Sequence, residues 1–148
     1  MKRLKLYLDN CCFNRPYDDQ KQEKIYIETE AKLFIQNKIK NGEYDLVWSF
    51  ILDYENSANP DIEAMRSIQM WKNIATETVT ITDSIREYAN VLHNQGFGVK
   101  DSLHISSAVY SGVDFLITVD KGILKRKNLV QDLQIINPMD FISMEEDL

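Results

Sequence analysis

Four acidic residues of this 148-residue chain stand where their carboxylates could act together on one substrate. Asp9 and Asp120 each follow a short apolar run that predicts a buried strand. Ligands of open parallel sheets bind beyond the carboxyl ends of the strands, so both side chains are expected at the same edge. Asp101 follows the turn Gly96–Gly98 at the predicted start of a helix, which favours the same edge.

The fourth acid, Glu55, lies in a predicted helix that follows the second strand. It shares a helical face with Ile51 and Leu52, which lie four and three residues before it. The side chain is therefore expected to point inward among apolar groups. If the helix phase differs by one residue, Glu55 lies on the surface and Asp53 points inward instead.

A cluster of buried carboxylates indicates a particular kind of chemistry. Such groups are costly to bury and repel one another, so they favour a site that binds a hard divalent cation such as Mg²⁺. A metal-bound water is more acidic than bulk water and can attack a phosphodiester, while the ion stabilises the charge that develops on oxygen. The four acids therefore predict a metal-dependent hydrolase.

Each acid also has a simpler interpretation. Asp120 precedes Lys121 and Gly122 and could be an ordinary turn residue, and Asp101 could be an ordinary helix cap. Asp9 follows a strand, where loops carry turns as well as functional sites. The coincidence of the four positions is the stronger argument for a common site.

The composition indicates a single domain of a soluble globular protein, with 44% hydrophobic and 27% charged residues. No apolar run approaches the ~20 residues that a membrane span needs. The apolar segment Leu6–Leu8 after the basic N-terminus is too short for a secretory signal. A cytoplasmic protein with no membrane partner is therefore expected.

The formal net charge of −6 is unusual for a nucleic-acid-binding protein. Three of the negative charges, Glu145, Glu146 and Asp147, lie in residues 143–148, which are predicted to form an acidic C-terminal tail. The remaining acids would need a cation in the pocket before nucleic acid could approach.

Cys11 and Cys12 are adjacent, and a disulfide between neighbours would strain the peptide that joins them. They also lack the spaced partners of a zinc site. We expect two reduced thiols packed near the end of a strand.

Strand and helix patterns alternate along the chain, which predicts an α/β domain with a mostly parallel sheet. The predicted strands are residues 4–8, Leu46–Trp48, Thr78–Ile81, Phe115–Thr118 and Leu133–Ile136. The predicted helices cover about 20–41, the residues from Ser49 past Glu55, Asp61–Trp71, a segment from the capping box Ser84/Glu87 to about Asn94, and Asp101–Tyr110, which Gly112 ends.

Four segments of the sequence together match the pattern of a known family. An aspartate closes the first strand and a glutamate follows in the second helical region. A third acid heads a helix of small residues, and a fourth ends a hydrophobic-Thr-x-Asp strand. On these motifs the chain resembles PIN-domain nucleases and, in size, the toxin subunits of VapBC-type toxin–antitoxin pairs. The segments are Leu6–Asn10, Glu55, Val99–Ala108 and Asp114–Asp120.

The resemblance implies one three-layer domain over residues 1–142, with a central, mostly parallel sheet flanked by helices. It implies an endoribonuclease that hydrolyses RNA with metal-activated water, together with a cognate antitoxin protein and a homodimer as partners. The implied ligands of Mg²⁺ or Mn²⁺ are Asp9, Glu55, Asp101 and Asp120.

Three further features follow from the resemblance. Asn10 and Thr118 are candidates to orient a carboxylate or a water molecule at the metal. The segment Cys11–Asp19 departs from the commonest, shorter loop of the family. A catalytically inactive PIN-like module for protein interaction or RNA docking is the alternative, although such a module has no physical reason to keep four mutually repelling carboxylates.

Several cationic side chains lie close in sequence to the four acids and could hold phosphates that flank the cleaved bond. Solvated surface charge is the alternative for each, and the run of three is the strongest candidate. These residues are Arg15, Lys100, Lys121, Lys125, Arg126 and Lys127.

Two other interpretations depend on single residues. His104 lies one helical turn after Asp101, and the interpretation as a structural histidine is favoured over a catalytic one. A phosphatase of the haloacid dehalogenase type also places an aspartate after strand one. That chemistry needs a second acid two residues later, where this chain has Cys11.

Overall fold

The computed structural model describes residues 3–146, which form five strands and eight helices. The strands are β1 Leu4–Leu8, β2 Tyr44–Ser49, β3 Glu77–Val79, β4 Phe115–Ile117 and β5 Gln134–Ile136. The helices are α1 Asn10–Asn14, α2 Glu23–Lys40, α3 Phe50–Ser57, α4 Ile62–Ile74, α5 Asp83–Asn94, α6 Val99–Ser111, α7 Lys121–Lys125 and α8 Pro138–Glu146.

The five strands form one sheet in the order β3-β2-β1-β4-β5, and every neighbouring pair is parallel. Strand β1 is central, with Leu6 opposite Leu46 on one side and Phe115 on the other. Its residues Leu6–Leu8 are fully buried, as expected for a parallel strand covered on both faces. The predicted α/β architecture, with helices flanking a parallel sheet, is confirmed.

The chain runs outward from β1 to β2 and β3, then crosses to β4 on the other side of β1 and continues to β5. The strand order therefore reverses between β1 and β4. Such a reversal opens a crevice at the carboxyl ends of the strands, where α/β proteins bind their ligands. The residues that follow β1 and β4 therefore meet at this crevice, and the core below it is packed with large apolar side chains such as Trp48 and Phe13.

Several predicted helix boundaries agree with the structure and two do not. Ser49 and Asp61 cap α3 and α4, and Gly112, with a φ of 69°, ends α6. Thr82 rather than Ser84 caps α5, because its hydroxyl accepts a hydrogen bond from the Ile85 amide at 3.2 Å.

Helix α6 begins earlier than predicted. Gly98 is its N-cap, so Asp101 is the third helical residue and does not cap the helix. Its side chain is therefore available for other contacts. The simpler interpretation of Asp101 as a cap was wrong because Gly98 already provides the extended backbone that begins the helix.

Two segments contain more helix than predicted. Residues that were expected to form a loop after β1 form α1 and a short 3-10 helix, Arg15–Tyr17. Helix α8 extends through Glu146, and the Glu145 carboxylate forms an ion pair with Lys38 of α2. The helix thus includes residues 143–146 of the predicted tail, while residues 147–148 lie outside the described range. Within residues 3–146 no helix is long and apolar enough to span a membrane.

Candidate metal centre

Asp9 lies at the carboxyl end of β1 and is only 4% exposed. Its carboxylate accepts hydrogen bonds from the Asn10 amide at 2.7 Å and from the Thr118 hydroxyl at 2.9 Å. The Cys11 thiol lies 3.4 Å from the same group. Because Leu8 pairs with Ile117, Thr118 is carried directly to Asp9, and these contacts hold the carboxylate in one orientation.

Asn10 contributes an unusual polar atom beside this carboxylate. Its side-chain oxygen is buried, and it has no hydrogen-bond partner among residues 3–146. A buried oxygen without a partner costs free energy unless water or an ion satisfies it. It is therefore a feature expected next to a hydrated cation.

Glu55 of α3 and His104 of α6 meet at the same place. The Nε2 atom of His104 forms a hydrogen bond with the Glu55 carboxylate and lies 3.4 Å from Oδ1 of Asp9. The other ring nitrogen, Nδ1, lies 2.6 Å from the Tyr7 hydroxyl, which is 2.6 Å from the Ser49 hydroxyl. A hydrogen-bonded chain thus runs from β2 through β1 and α6 to the two acids.

The electrostatic environment favours a positively charged His104. Complete burial lowers the pKa of the imidazole, but the Asp9 charge and the hydrogen bond to Glu55 outweigh this, and the pKa is raised above its usual value. Burial raises the pKa of the Tyr7 hydroxyl well above its ordinary value, so Tyr7 remains a neutral phenol. His104 therefore supplies positive charge between the two carboxylates.

Asp120 occupies the corresponding position after β4. It caps α7, with its side chain accepting from the Ile123 amide at 3.0 Å, and its own amide donates to the Thr118 hydroxyl at 3.0 Å. The Thr118 hydroxyl therefore contacts both Asp9 and Asp120. Asp120 can therefore be both a capping residue and a member of the acidic group.

The half-buried carboxyl of Asp101 has a raised pKa, which reflects its burial and the charges of the neighbouring acids. Its pKa is raised to about 6, first by burial and then by the negative charges of Asp120 and Asp9, with a smaller rise from Glu55; His104 opposes the shift. A raised carboxyl pKa means that one more negative charge here is unfavourable. The four acids thus form one electrostatic unit with excess negative charge.

The donor atoms of this centre suit a divalent cation. Asp9, Glu55 and His104 offer ligand atoms that all lie within 4.8 Å of one another. Carboxylate oxygens are the preferred ligands of Mg²⁺ and Mn²⁺, and Asp9 and Glu55 supply them here. The unpartnered Asn10 oxygen and the raised pKa of Asp101 are both unfavourable features that such a cation would relieve.

The structure decides the alternative that the helix phase left open. Asp53 accepts hydrogen bonds from the Trp48 indole and Gln69, and it forms an ion pair with Lys72, so it belongs to the contact between α3 and α4. Glu55 points to the acidic centre. His104, which sequence reasoning treated as structural, is also part of this centre; its position three residues after Asp101 was the available signal.

The cationic candidates are dispersed. Arg15 forms ion pairs with Asp18 and Glu28, so its guanidinium is engaged away from the acids. The other candidates lie at the N-terminus of α6 or in and after α7, next to Asp101 and Asp120. Their exposed members are Lys100, Lys121, Lys125 and Lys127, while Arg126 is half-buried.

Comparison with solved structures identifies the fold. One match is a chain of VapBC2 from Rickettsia felis, whose structure was solved bound to a DNA fragment from the VapBC2 promoter. The two chains are 16% identical, with a TM-score of 0.56, and the alignment covers 90% of this chain and 98% of that chain. Another is a chain of VapBC-1 from nontypeable Haemophilus influenzae, with 20% identity, a TM-score of 0.57 and coverage of 92% and 99%. The chain has a VapC-like PIN-domain fold.

These matches confirm the fold that the sequence motifs predicted. No family model matches the sequence. No curated protein matches it either. In this PIN-like domain the acids lie at the crevice where ligands of α/β folds bind, so the site and not the likeness carries the argument for function.

Proposed function

We propose that this PIN-like protein is a metal-dependent endoribonuclease that hydrolyses RNA phosphodiester bonds with metal-activated water. The observation that carries this proposal is the convergence of four carboxylates beside the carboxyl ends of β1 and β4, where burial and the charges of Asp120 and Asp9 raise the pKa of Asp101 to about 6. Acids that served only stability would be paired with fixed cations. Here the raised pKa of His104 favours one positive charge beside Asp9 and Glu55, which does not balance four acids.

A divalent cation, when bound, would activate water and stabilise the negative charge that develops on a phosphodiester oxygen. Asp9, Glu55, Asp101 and Asp120 are the residues that would hold it, directly or through water. Thr118 orients Asp9 by donating a hydrogen bond to it, and the buried Asn10 oxygen, which has no partner among residues 3–146, would accept one from a bound water.

His104 acts in this proposal as a positioning residue. Its Nε2–H donates to Glu55 and lies beside Asp9, so it sets the separation of two carboxylates from different elements. The Tyr7 hydroxyl holds the ring through Nδ1. The partial positive charge of His104 also limits repulsion between the acids before a cation binds.

The proposed biological setting is a toxin–antitoxin pair. Support comes from the fold, which this chain shares over most of its length with chains of two VapBC structures. A cognate antitoxin would place a basic side chain against the carboxylates, because that surface needs a positive charge. We also propose a cytoplasmic homodimer whose single domain includes α8.

The test is cleavage of mixed single-stranded RNAs by the purified protein in Mg²⁺, Mn²⁺ or a chelator, with the thermal shift caused by each ion measured in parallel. We expect cleavage with a divalent ion, its loss in chelator, and its loss in Asp9→Asn. Asp132→Asn is the matched control, because this aspartate is exposed and its charge acts on Tyr88. A wild type that cleaves nothing and shows no shift with either ion supports an inactive binding module instead.

A further inference from the structure

An apolar recess lies beside the acidic centre, between α3 and α6. Its volume is about 360 Å³, and the residues that line it are Phe50, Ile51, Tyr54, Val99, Lys100 and Leu103. None of the six is acidic, so the recess itself offers no carboxylate to a cation. It is a separate surface that belongs to neither the metal centre nor the sheet crevice.

Two of its residues are the immediate neighbours of proposed metal ligands. Tyr54 precedes Glu55 on α3, and Lys100 precedes Asp101 on α6, so the Cα atoms in each pair lie about 3.8 Å apart. Lys100 also lies one helical turn before His104, which hydrogen-bonds Glu55, so the recess adjoins the acidic centre along one face of α6. A nucleotide whose phosphate lies at the acids has the recess within reach of its base.

The chemistry of the recess matches a nucleotide better than a purely apolar ligand. Tyr54 is 62% exposed, and the Lys100 ammonium lies 5.7 Å from the centre of its ring. Aromatic rings beside cationic side chains are the usual platform for single-stranded nucleic acid, since the ring stacks on a base and the cation meets a phosphate. Phe50, Ile51 and Leu103 supply the apolar floor.

We propose that Tyr54 stacks on a nucleobase next to the cleaved phosphodiester, and that Lys100 contacts the adjoining phosphate. This inference rests on the proposed ribonuclease function and adds a base-binding subsite to it. Interfaces between stable protein partners involve roughly 20–30 residues on each side. Six residues, of which Ile51 is 3% exposed, form a surface suited to one base.

The test combines variants of Tyr54 with RNAs in which a single abasic site is moved along a cleaved single strand. We expect one abasic position next to the cleavage site to lower kcat/KM of the wild type by about tenfold, mostly through KM, because one base stack is lost. The same abasic site should have no further effect on Tyr54→Ala. Tyr54→Phe keeps the ring and should behave as the wild type.

Tyr26→Ala is the matched control, since Tyr26 is also a half-exposed tyrosine but lies on α2. Its kcat/KM and its abasic profile should equal those of the wild type. Lys100→Ala should raise KM at every position by a similar factor and reduce the salt dependence of KM, because a phosphate contact carries no base preference.

The outcomes separate this inference from the function on which it rests. A wild type that cleaves RNA while Tyr54→Ala shows the same kcat/KM and the same abasic profile overturns the subsite alone. A wild type that neither binds nor cleaves RNA overturns both proposals. If Tyr54→Ala instead turns a dimer into a monomer in analytical ultracentrifugation, the recess is a face between two copies and the subsite is overturned.

Discussion

Two aspartates of this protein, Asp53 and Asp101, are both partly buried, but their pKa values are shifted in opposite directions. Burial opposes ionisation of Asp53, but hydrogen bonds from Trp48, Lys72 and Gln69 outweigh it, and the pKa is lowered. Burial of Asp101 is reinforced by the charges of Asp120 and Asp9, and its pKa rises to about 6. The comparison teaches that the carboxylate of Asp53 is balanced by its neighbours at the contact between α3 and α4, whereas the negative charge of the acidic centre is not balanced.

Removal of a carboxylate is expected to have its largest effect at the acidic centre. Asp120→Asn should lower metal-dependent RNA cleavage by at least about a hundredfold, because it removes a proposed ligand and not merely a group that orients one. The measurement is kcat/KM on a single-stranded RNA in Mn²⁺.

Asp53→Asn is the matched control for that variant, since it removes a carboxylate only two residues from Glu55. It should retain cleavage within about twofold and leave the affinity for Mn²⁺ unchanged. Equal losses in the two variants would show that the two regions do not differ in function.

The next largest effect is expected at His104. His104→Leu should weaken Mn²⁺ binding and cleavage by about 10–100-fold, because Glu55 and Asp9 lose the donor that sets their separation. His104→Gln places an amide donor near the position of Nε2 and should restore part of the loss. Calorimetry with Mn²⁺ and single-turnover cleavage measure the two effects.

Tyr7→Phe sharpens the same point, because it removes only the hydrogen bond to Nδ1 of His104 and leaves Nε2 in place. A smaller loss than in His104→Leu is expected, together with normal folding by circular dichroism. If His104→Gln is no better than His104→Leu, the histidine acts through packing and not by positioning the acids.

The pH dependence of stability should differ between the two regions. In chelator, the folded protein holds the Asp101 proton up to about pH 6, whereas the unfolded chain loses it near the ordinary aspartate pKa of 3.8. The unfolded state therefore binds fewer protons between these values, and the free energy of unfolding falls as pH rises through this window. Because Asp101 is only half-buried, we expect this contribution to reach about 1–2 kcal/mol.

Urea unfolding of the wild type and Asp101→Asn from pH 4 to pH 7 measures this contribution. The variant should be the more stable protein above pH 6 in chelator, although it should be the poorer enzyme. Saturating Mn²⁺ should remove the advantage of the variant, since the cation offsets the repulsion. An unchanged pH profile in Asp101→Asn would contradict the electrostatic account of the centre.

The smallest effect is expected in the Asp53 cluster. Lys72→Met should lower the free energy of unfolding by no more than about 1 kcal/mol at pH 7, because both partners of the ion pair are more than one-third exposed. The contribution should be present above the ordinary carboxyl pKa and lost as pH falls below it, since the pKa of Asp53 is lowered. Cleavage should not change, and a large loss of cleavage would link the two regions.

Much of the site was predictable because strand ends determine position. Asp9 and Asp120 follow apolar strands, and parallel pairing of β1 with β4 carries both to one edge. Glu55 was less certain, since a shift of one residue in helix phase exchanges it with Asp53. The helix phase is decided by the partners of Asp53, which are Trp48 on β2 and Lys72 on α4.

His104 was undervalued for a related reason. Its contacts are Tyr7, Glu55 and Asp9, which lie 97, 49 and 95 residues away along the chain. No local pattern reports a hydrogen bond between residues so far apart. The extent of α8 was missed in the same way, because the helix packs against distant residues: Phe141 contacts Tyr44 and Phe115, and Glu145 forms an ion pair with Lys38.

The sequence by itself determined the alternation of strands and helices, the parallel sheet and the placement of Asp9 and Asp120 at its edge. It could do so because apolar periodicity and strand-end placement are local properties of the chain. Only the tertiary structure decided that Glu55 and not Asp53 faces the centre, that His104 lies between two carboxylates, and that Tyr54 and Lys100 line a recess beside them. Those facts depend on which helix packs beside which, and on burial and charge summed over distant residues.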